Sequence, residues 1–577
     1  MQFVQQTILG SGPFDDIGRP HGIYWNEGRT LVAVAGAFSG KQWHGRFLGG
    51  SAGRWRVSLY ETATLRCIAR LDGIKMPIND LAFHPRLPLL AIGGGCYDGG
   101  YSYGGNLILW DLATEQHVSL LAESREVVRC SFEDNDALHL TLRPAIDEDF
   151  YDEELDISLR PWRGEGPAPK PRRLRLDTAI SATGWQAFQA RSIAVDSLSI
   201  TYSPVEGRHA LYRGQSQEEM RHELDTLAHT VIGRRYTPRW DIWDIAWTPD
   251  DRILATRNDT ALECWHPDGT LLAHLADTAD GVQLLTGPTN AIAYVNLSGK
   301  SDPRQLRTRG WDNETRIERI DLETWDRATI PGIDTPVALS IASFGHLLAR
   351  DTIREGYRRD EPTHDRLIAP DLTLSAPLDL GGYDAVNHYL RIDGTPYLYF
   401  LQGTPARADF SQQPRVRSSR DKWLCRLNPQ TQRAERLFPL EWDPEQGRHF
   451  YEGCGLAVVD PLGSAVILAL TIHHPEYRHP TQSVIARRHP PTGHVQWHLG
   501  LDGGVVALAQ LAGHGLVLFI LTDGTLGAVD TATGTLIHQE RLMLDGIPCR
   551  PLSLVVSDTR IAIGLVDGRI LLYEWRH

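Results

Sequence analysis

One phrase recurs along this chain at intervals of roughly fifty residues. It is a short alternating apolar run, a turn cluster, and a second alternating apolar run. VSLYETATLRCIARL from Val57, LILWDLATEQHVSLL from Leu107, LECWHPDGTLLAHL from Leu262 and RIERIDLETWDRATI from Arg316 are copies. So are RLIAPDLTLSAPLDL from Arg366, WLCRLNPQTQRAERL from Trp423, VIARRHPPTGHVQWHL from Val484 and LGAVDTATGTLIHQERL from Leu526. Alternation at period two marks strands with one buried face. A unit of this size cannot bury that face alone, so neighbouring units must stack.

A fixed period written in strands and turns predicts an all-β chain of propeller type. The second unit shows all four strands: INDLAFHP from Ile78, LLAIGGG from Leu89, NLILWDL from Asn106 and EQHVSLL from Glu115. The turn after each third strand falls near residues 61, 111, 161, 267, 321, 371, 428, 489, 530 and 574. The wide step from 161 to 267 leaves two readings for 177–239. ALYRGQSQEEMRHEL from Ala210 fits a degenerate blade. Ser216 and Glu219 have capping-box spacing, and Met220, Leu224, Leu227, Val231 and Ile232 have helical spacing, which fits a helical insertion.

The count is then 10 or 11 four-stranded blades. Single rings hold about 4 to 8, so two rings are expected, divided here into 1–330 and 331–577. The last unit lacks a fourth strand after ILLYEW from Ile570, and FVQQTIL from Phe3 belongs to no unit. An unpaired edge invites aggregation. The N-terminal strand, residues 2–9, is therefore expected to close the last blade.

Trp110-Asp111 ends a third strand and His84-Pro85 follows a first strand. In these features the second unit resembles a WD-repeat blade. Tyr60-Glu61, Ile320-Asp321 and Val529-Asp530 depart from the dipeptide, and the last is similar to the blades of quinoprotein-type propellers. The resemblance implies a propeller architecture and brings no catalytic residue with it.

The balance of 58 basic and 72 acidic residues gives a net charge of −14, which disfavours a general nucleic-acid binder. The N-terminus has no signal-peptide pattern, and no apolar run approaches the roughly 18 residues of a membrane helix. Cys67, Cys96, Cys130, Cys264, Cys425, Cys454 and Cys549 are scattered, read as buried thiols, and place the chain in the cytoplasm.

The second-to-third strand connection is short in the last two units and enlarged in seven others. It contains Trp43 in the first unit, Tyr97, Tyr101 and Tyr103 in the second, and the acidic run Asp147–Asp156 in the third. Three consecutive later units carry Arg304, Arg307, Arg309 and Trp311, then Arg354, Tyr357, Arg358 and Arg359, then Arg407, Phe410, Arg415, Arg417 and Arg420. The next carries His473, His474, Tyr477 and His479. Arg and aromatic side chains are enriched at binding hot spots, so these loops are the expected partner-binding face.

Adjacent histidines on a strand point opposite ways, so no metal is expected at His473, His474 and His479. The acidic run lacks EF-hand spacing and reads as a solvated loop. Trp240, Trp243 and Trp247 read as blade packing. No nucleophile elbow, HExxH or phosphate loop appears, and no cofactor is implied. The expected function is a non-catalytic scaffold with a protein partner. The alternatives are a propeller hydrolase or lyase with a central pocket, and a nucleic-acid sensor using the basic crescent.

Overall fold

The computed structural model describes residues 2–38, 55–97, 103–120, 126–132, 137–142, 172–175, 197–202, 215–298, 315–351, 365–380, 392, 395–402, 423–440, 450–459, 465–473 and 482–576, apart from 75, 290 and 334–336. Among them are ten sheets of three or four strands, numbered here in chain order. Sheets 1, 2 and 3 lie within 19–74, 78–120 and 127–202. Sheets 4 to 9 lie within 244–276, 280–329, 337–368, 398–439, 450–501, 505–541, and sheet 10 combines 551–576 with Gln2–Leu9. A two-stranded hairpin, Met543–Leu544 with Ile547–Pro548, lies between the last two.

The recurring phrase has a local cause. Its turn begins with a carboxylate or amide that caps its own backbone. Asp111 Oδ1 accepts from Ala113 N at 2.9 Å and Thr114 N at 3.3 Å. Asp321 does the same for Glu323 and Thr324, Asn428 for Gln430 and Thr431, and Asp530 for Ala532 and Thr533. The fifth residue then enters the left-handed region: Glu115 at φ 58°, Trp325 at 64°, Gln432 at 53° and Gly534 at 75°. This turns the third strand back into the fourth. Trp110, at the end of its strand, is fully buried between sheets 1 and 2.

The strand Gln2–Leu9, β1, occupies the expected place. It pairs antiparallel with the final strand, Gln2 opposite Arg576 and Leu9 opposite Ile570. Phe3 packs on Trp575 with ring centroids 4.7 Å apart.

By contact the chain forms two compact units. The described residues of the first lie in Met1–Ser11 and Arg239–His577, and those of the second in Gly12–Ser39 and Ser51–Pro238. The contact division therefore falls at Pro238–Arg239. The reason is side-chain packing that no local pattern encodes: Ala562 and Leu572 of sheet 10 and Leu9 of β1 pack on Ile245 and Ala255 of sheet 4. That contact draws sheets 4 and 5 into the C-terminal unit.

Within the first unit each sheet buries one face on the next. Leu254 packs with Leu284 and Val295 between sheets 4 and 5, and Ile317 with Leu339 and Ile368 between sheets 5 and 6. Leu348 packs with Phe400 between sheets 6 and 7, and Phe438 with Val466 and Leu468 between 7 and 8. Ile485 packs with Phe519 between 8 and 9, and Leu518 with Ile563 between 9 and 10. Inner strands are also joined by side chains bonded to neighbouring backbone. Asp244 Oδ2 accepts from Leu284 N at 3.0 Å, and Gln283 bonds both N and O of Leu339.

The second unit holds sheets 1 to 3 and one helix, α1, Gln217–Ile232. The helical reading of 177–239 holds for this segment and the blade reading of 210–224 does not. Ser216 Oγ accepts from Glu219 N at 3.1 Å while Glu219 Oε2 accepts from Ser216 N at 2.6 Å. Gly233 closes the helix at φ 66°. Met220, Leu224 and Ala228 recur every fourth residue as one buried stripe, and a strand needs a repeat of two. Leu224 and Ala228 pack on Phe14, Ile17 and Val34 of the same unit.

Sheet 3 departs from the simple order. Ala137–Leu142 pairs in parallel with Ser197–Tyr202, and Arg172–Arg175 forms the edge. Parallel pairing needs a long crossover, here the residues between 142 and 197.

Candidate interaction face

In six of the seven enlarged connections the flanking strands stay paired near the mouth of the insertion. Ala37 is opposite Trp55, Tyr97 opposite Tyr103, and Ser298 opposite Thr315. Ala349 is opposite Arg366, Gln402 opposite Trp423, and Ile472 opposite Gln482. All these pairs join the second and third strands of a blade, or the matching strands where fewer are described. Sheet 3 is different, because the strand paired with its second one runs parallel. By contrast sheets 9 and 10 close the same slot with Leu521–Thr525 and Leu565–Ile570.

The arginine-bearing insertions 299–314, 352–364 and 403–422 rise from sheets 5, 6 and 7. These three are packed consecutively, through Leu339 and Ile368 and then through Leu348 and Phe400. Their feet carry charged groups with settled partners. Arg316 reaches Asp277 at 2.5 Å and Glu318 at 3.0 Å, and Arg327 bonds the same two carboxylates. Burial pushes Asp277 up, but the Ala279 N–H and the Arg327 and Arg316 guanidiniums outweigh it and hold the carboxyl at about 2. Arg350 stacks over Phe400 at 4.8 Å, and Arg436 donates to Gln402 Oε1 at 2.5 Å. These foot arginines fasten the frame.

Of the residues expected to bind a partner, Tyr97 and Tyr103 are placed as facing backbone positions at the mouth of sheet 2. Trp43, Tyr101, Arg307, Arg309, Trp311, Tyr357, Arg358, Arg407, Arg415, Arg417, Arg420 and Tyr477 lie outside the described residues. So do the acidic run, His474 and His479, while His473 ends its strand opposite Phe450. Among the described residues no group of three or more His, Cys, Asp or Glu stands close enough to hold a metal.

Two buried ionic clusters escaped sequence reading. Glu263 accepts from Arg239 at 2.6 Å, Arg257 at 2.9 Å and Trp265 at 3.1 Å. Burial alone would raise its carboxyl, and Arg239 and Arg257 hold it well below the usual range. Asp16 accepts from Ser58 at 2.8 Å and from the Tyr60 hydroxyl, and forms an ion pair with Arg70 at 3.0 Å. Burial first, then the Asp16 charge, pushes the Cys67 thiol to about 12, so it is inert. Both carboxylates have several donors, the pattern of structural pairing. No local spacing announces the Asp16 cluster, since its partners Ser58 and Tyr60 lie 42 and 44 residues away, and the Arg239 partner of Glu263 lies 24 away. Trp243 is fully buried and donates to Asn258 Oδ1 at 2.8 Å, and Trp240 is buried as well.

No family model matches the sequence, and no curated protein matches it. Among solved structures it is similar to virginiamycin B lyase from Staphylococcus aureus, at 11% identity over 58% of this chain and 94% of that one, TM-score 0.38. It is similar to the RRP9 WD40 repeats at 11% identity over 59% and 96%, TM-score 0.40, and to U3-55K at 10% identity over 59% and 97%, TM-score 0.38. The architecture rests on this chain's own described sheets: eight of four strands and two of three, nearly all antiparallel, with one turn recurring after the third strand. At that level the chain is all-β, built from antiparallel sheets of the size and strand order of propeller blades.

Proposed function

We propose that the protein is a non-catalytic interaction scaffold. Its sheets 4 to 10 form one closed seven-bladed ring in this reading, since each packs on the next and sheet 10 on sheet 4. The observation that carries the function is the run of hairpin mouths at Ser298–Thr315, Ala349–Arg366 and Gln402–Trp423 on three consecutively packed sheets. A rigid frame of this kind presents inserted segments side by side, and surface loops on such frames commonly carry function. The sequences of the inserted segments carry Arg307, Arg309, Arg358, Arg407, Arg415, Arg417 and Arg420 as well as Trp311 and Tyr357. An acidic protein surface is the partner this chemistry fits. Trp43, Tyr97, Tyr101, Tyr103 and Tyr477 are assigned to the same role on the other enlarged connections. The five described cysteines form no disulfide with one another, which supports a cytoplasmic setting.

The test is co-purification from the native host, with the wild type beside the triple variant Arg415→Glu, Arg417→Glu and Arg420→Glu. A stoichiometric acidic protein that the variant loses supports the scaffold. A retained small molecule overturns it in favour of an enzyme, and retained nucleic acid in favour of a nucleic-acid sensor.

A further inference from the structure

The path of the chain through the first unit poses a problem of connection. β1 belongs to sheet 10 by seven residue pairs, Gln2↔Arg576 to Leu9↔Ile570. The rest of that unit begins only at Arg239, and everything from Gly12 to Pro238 that is described belongs to the second unit. The chain thus leaves the first unit just after its closing strand is laid down and must return to the same unit.

The points of departure and return adjoin. A Cβ on Gly10 would stand 2.8 Å from Arg239 Nε, so the backbone at Gly10 lies against the Arg239 guanidinium. Gly10 takes φ 76°, a turn that an L side chain resists. Arg239 is fixed on its other sides. It grips Glu263 with both terminal nitrogens, at 3.0 and 2.6 Å, donates Nε to the Gly568 carbonyl at 3.1 Å, and lies over the Trp265 ring at 4.8 Å. Its own backbone fills the space beside Gly568, where a Cβ would meet Arg239 Cβ at 2.5 Å. One side chain therefore bonds the third strand of sheet 4 and the last hairpin of sheet 10 and lies against the backbone at the end of β1.

We propose that the second unit is a module inserted into the first, and that Arg239 is the clamp that holds the two crossings together. The physical reason is loop closure. A closing strand reached through a long disordered loop carries an entropic penalty that a folded insert with adjoining ends largely removes. Insertions are tolerated where the two crossings lie close together. The clamp keeps that separation constant whatever the inserted unit does, so β1 stays in its sheet while the insert binds or changes. This inference rests on the placement of β1 and does not depend on the identity of any partner.

The experiment keeps every residue and removes one crossing. A circular permutant starts at Gly12, runs to His577, and continues through a short Gly-Ser turn into Met1–Ser11. Because Gln2 lies opposite Arg576, that turn completes an ordinary hairpin. The expected result is wild-type hydrogen-exchange protection for Phe3–Leu9 and an unchanged melting temperature. Loss of protection in β1 of a folded permutant overturns the insertion. The clamp is read separately: Arg239→Ala in the natural order should speed exchange of Ile8 and Leu9 at least tenfold, and in the permutant by far less. Equal effects in the two orders overturn the clamp. If the permutant does not fold, cleavage of the natural chain at a protease site placed after Ser11 decides. Met1–Ser11 retained through gel filtration supports the proposal, and its release overturns it.

Discussion

The Ser553 hydroxyl donates to the Ile242 carbonyl at 2.9 Å, a bond between residues 311 apart in the chain. Ser553 lies on the strand Pro551–Ser557 of sheet 10, and Ile242 lies two residues before the strand Asp244–Trp247 of sheet 4. Beside them the Ile242 and Asp241 amides donate to Leu565 and Val566. Both residues are fully buried. Ser553→Ala should destabilise the protein by about 1–2 kcal/mol, because a buried acceptor loses its donor. Denaturant unfolding with an unchanged slope is the measurement, and a midpoint equal to wild type would refute it.

Leu9 has no exposed surface and packs on Ile242, Ile253 and Ile570. Leu9→Ala should cost about 2–5 kcal/mol, the range for a buried leucine that leaves a cavity. Exposed Gln6 on the same strand is the control, and Gln6→Ala should change the midpoint little.

The turn geometry predicts stabilising changes. Glu115 and Gln432 are exposed and sit at φ 58° and 53°, where glycine is free of Cβ strain of about 1–2 kcal/mol. Glycine loses about 0.5–1 kcal/mol through its freer unfolded chain. Glu115→Gly and Gln432→Gly should each gain a net few tenths to about 1 kcal/mol, seen as a higher melting temperature. Gly534→Ala should do the reverse, since its Cβ would meet the Trp497 ring at 2.7 Å.

Asp277 gives a pH signature. Its folded carboxyl, at about 2, lies below its ordinary value of 3.8. Its contribution is therefore fully present above the unfolded value and is lost as pH falls through the folded one, between about 4 and 2. Its arginine partners are partly exposed, so solvent screens the pairs and Asp277→Asn should cost about 1 kcal/mol or less at neutral pH. The difference from wild type should vanish near pH 2 in an acid unfolding series.

Partner association should fall with the arginine reversals in 403–422, mainly through a slower on-rate at low salt. Replacing Gly403–Asp421 with Asn-Gly should leave sheet 7 folded, since sheets 9 and 10 close the same slot with tight turns. Surface binding kinetics at two salt concentrations separate the two variants. Equal loss from a charge reversal of the same size on the opposite face would remove the assignment.

What the sequence by itself determined is local. The Asp-x-x-Thr turns are legible because the carboxylate and the amides it caps lie within four residues, as at Asp530 and Thr533. The helix was legible as one of two readings through Ser216 and Glu219, again neighbours. The place of β1 followed from counting strands. Tertiary structure decided what distant residues share. The parallel pairing of Ala137–Leu142 with Ser197–Tyr202, the donors around Asp16, and the division at Pro238 leave no spacing in the sequence. The junction of Ser553 with Ile242 is the plainest case, because which sheet an apolar face meets depends on the summed geometry of all the sheets between, and no single segment encodes that sum.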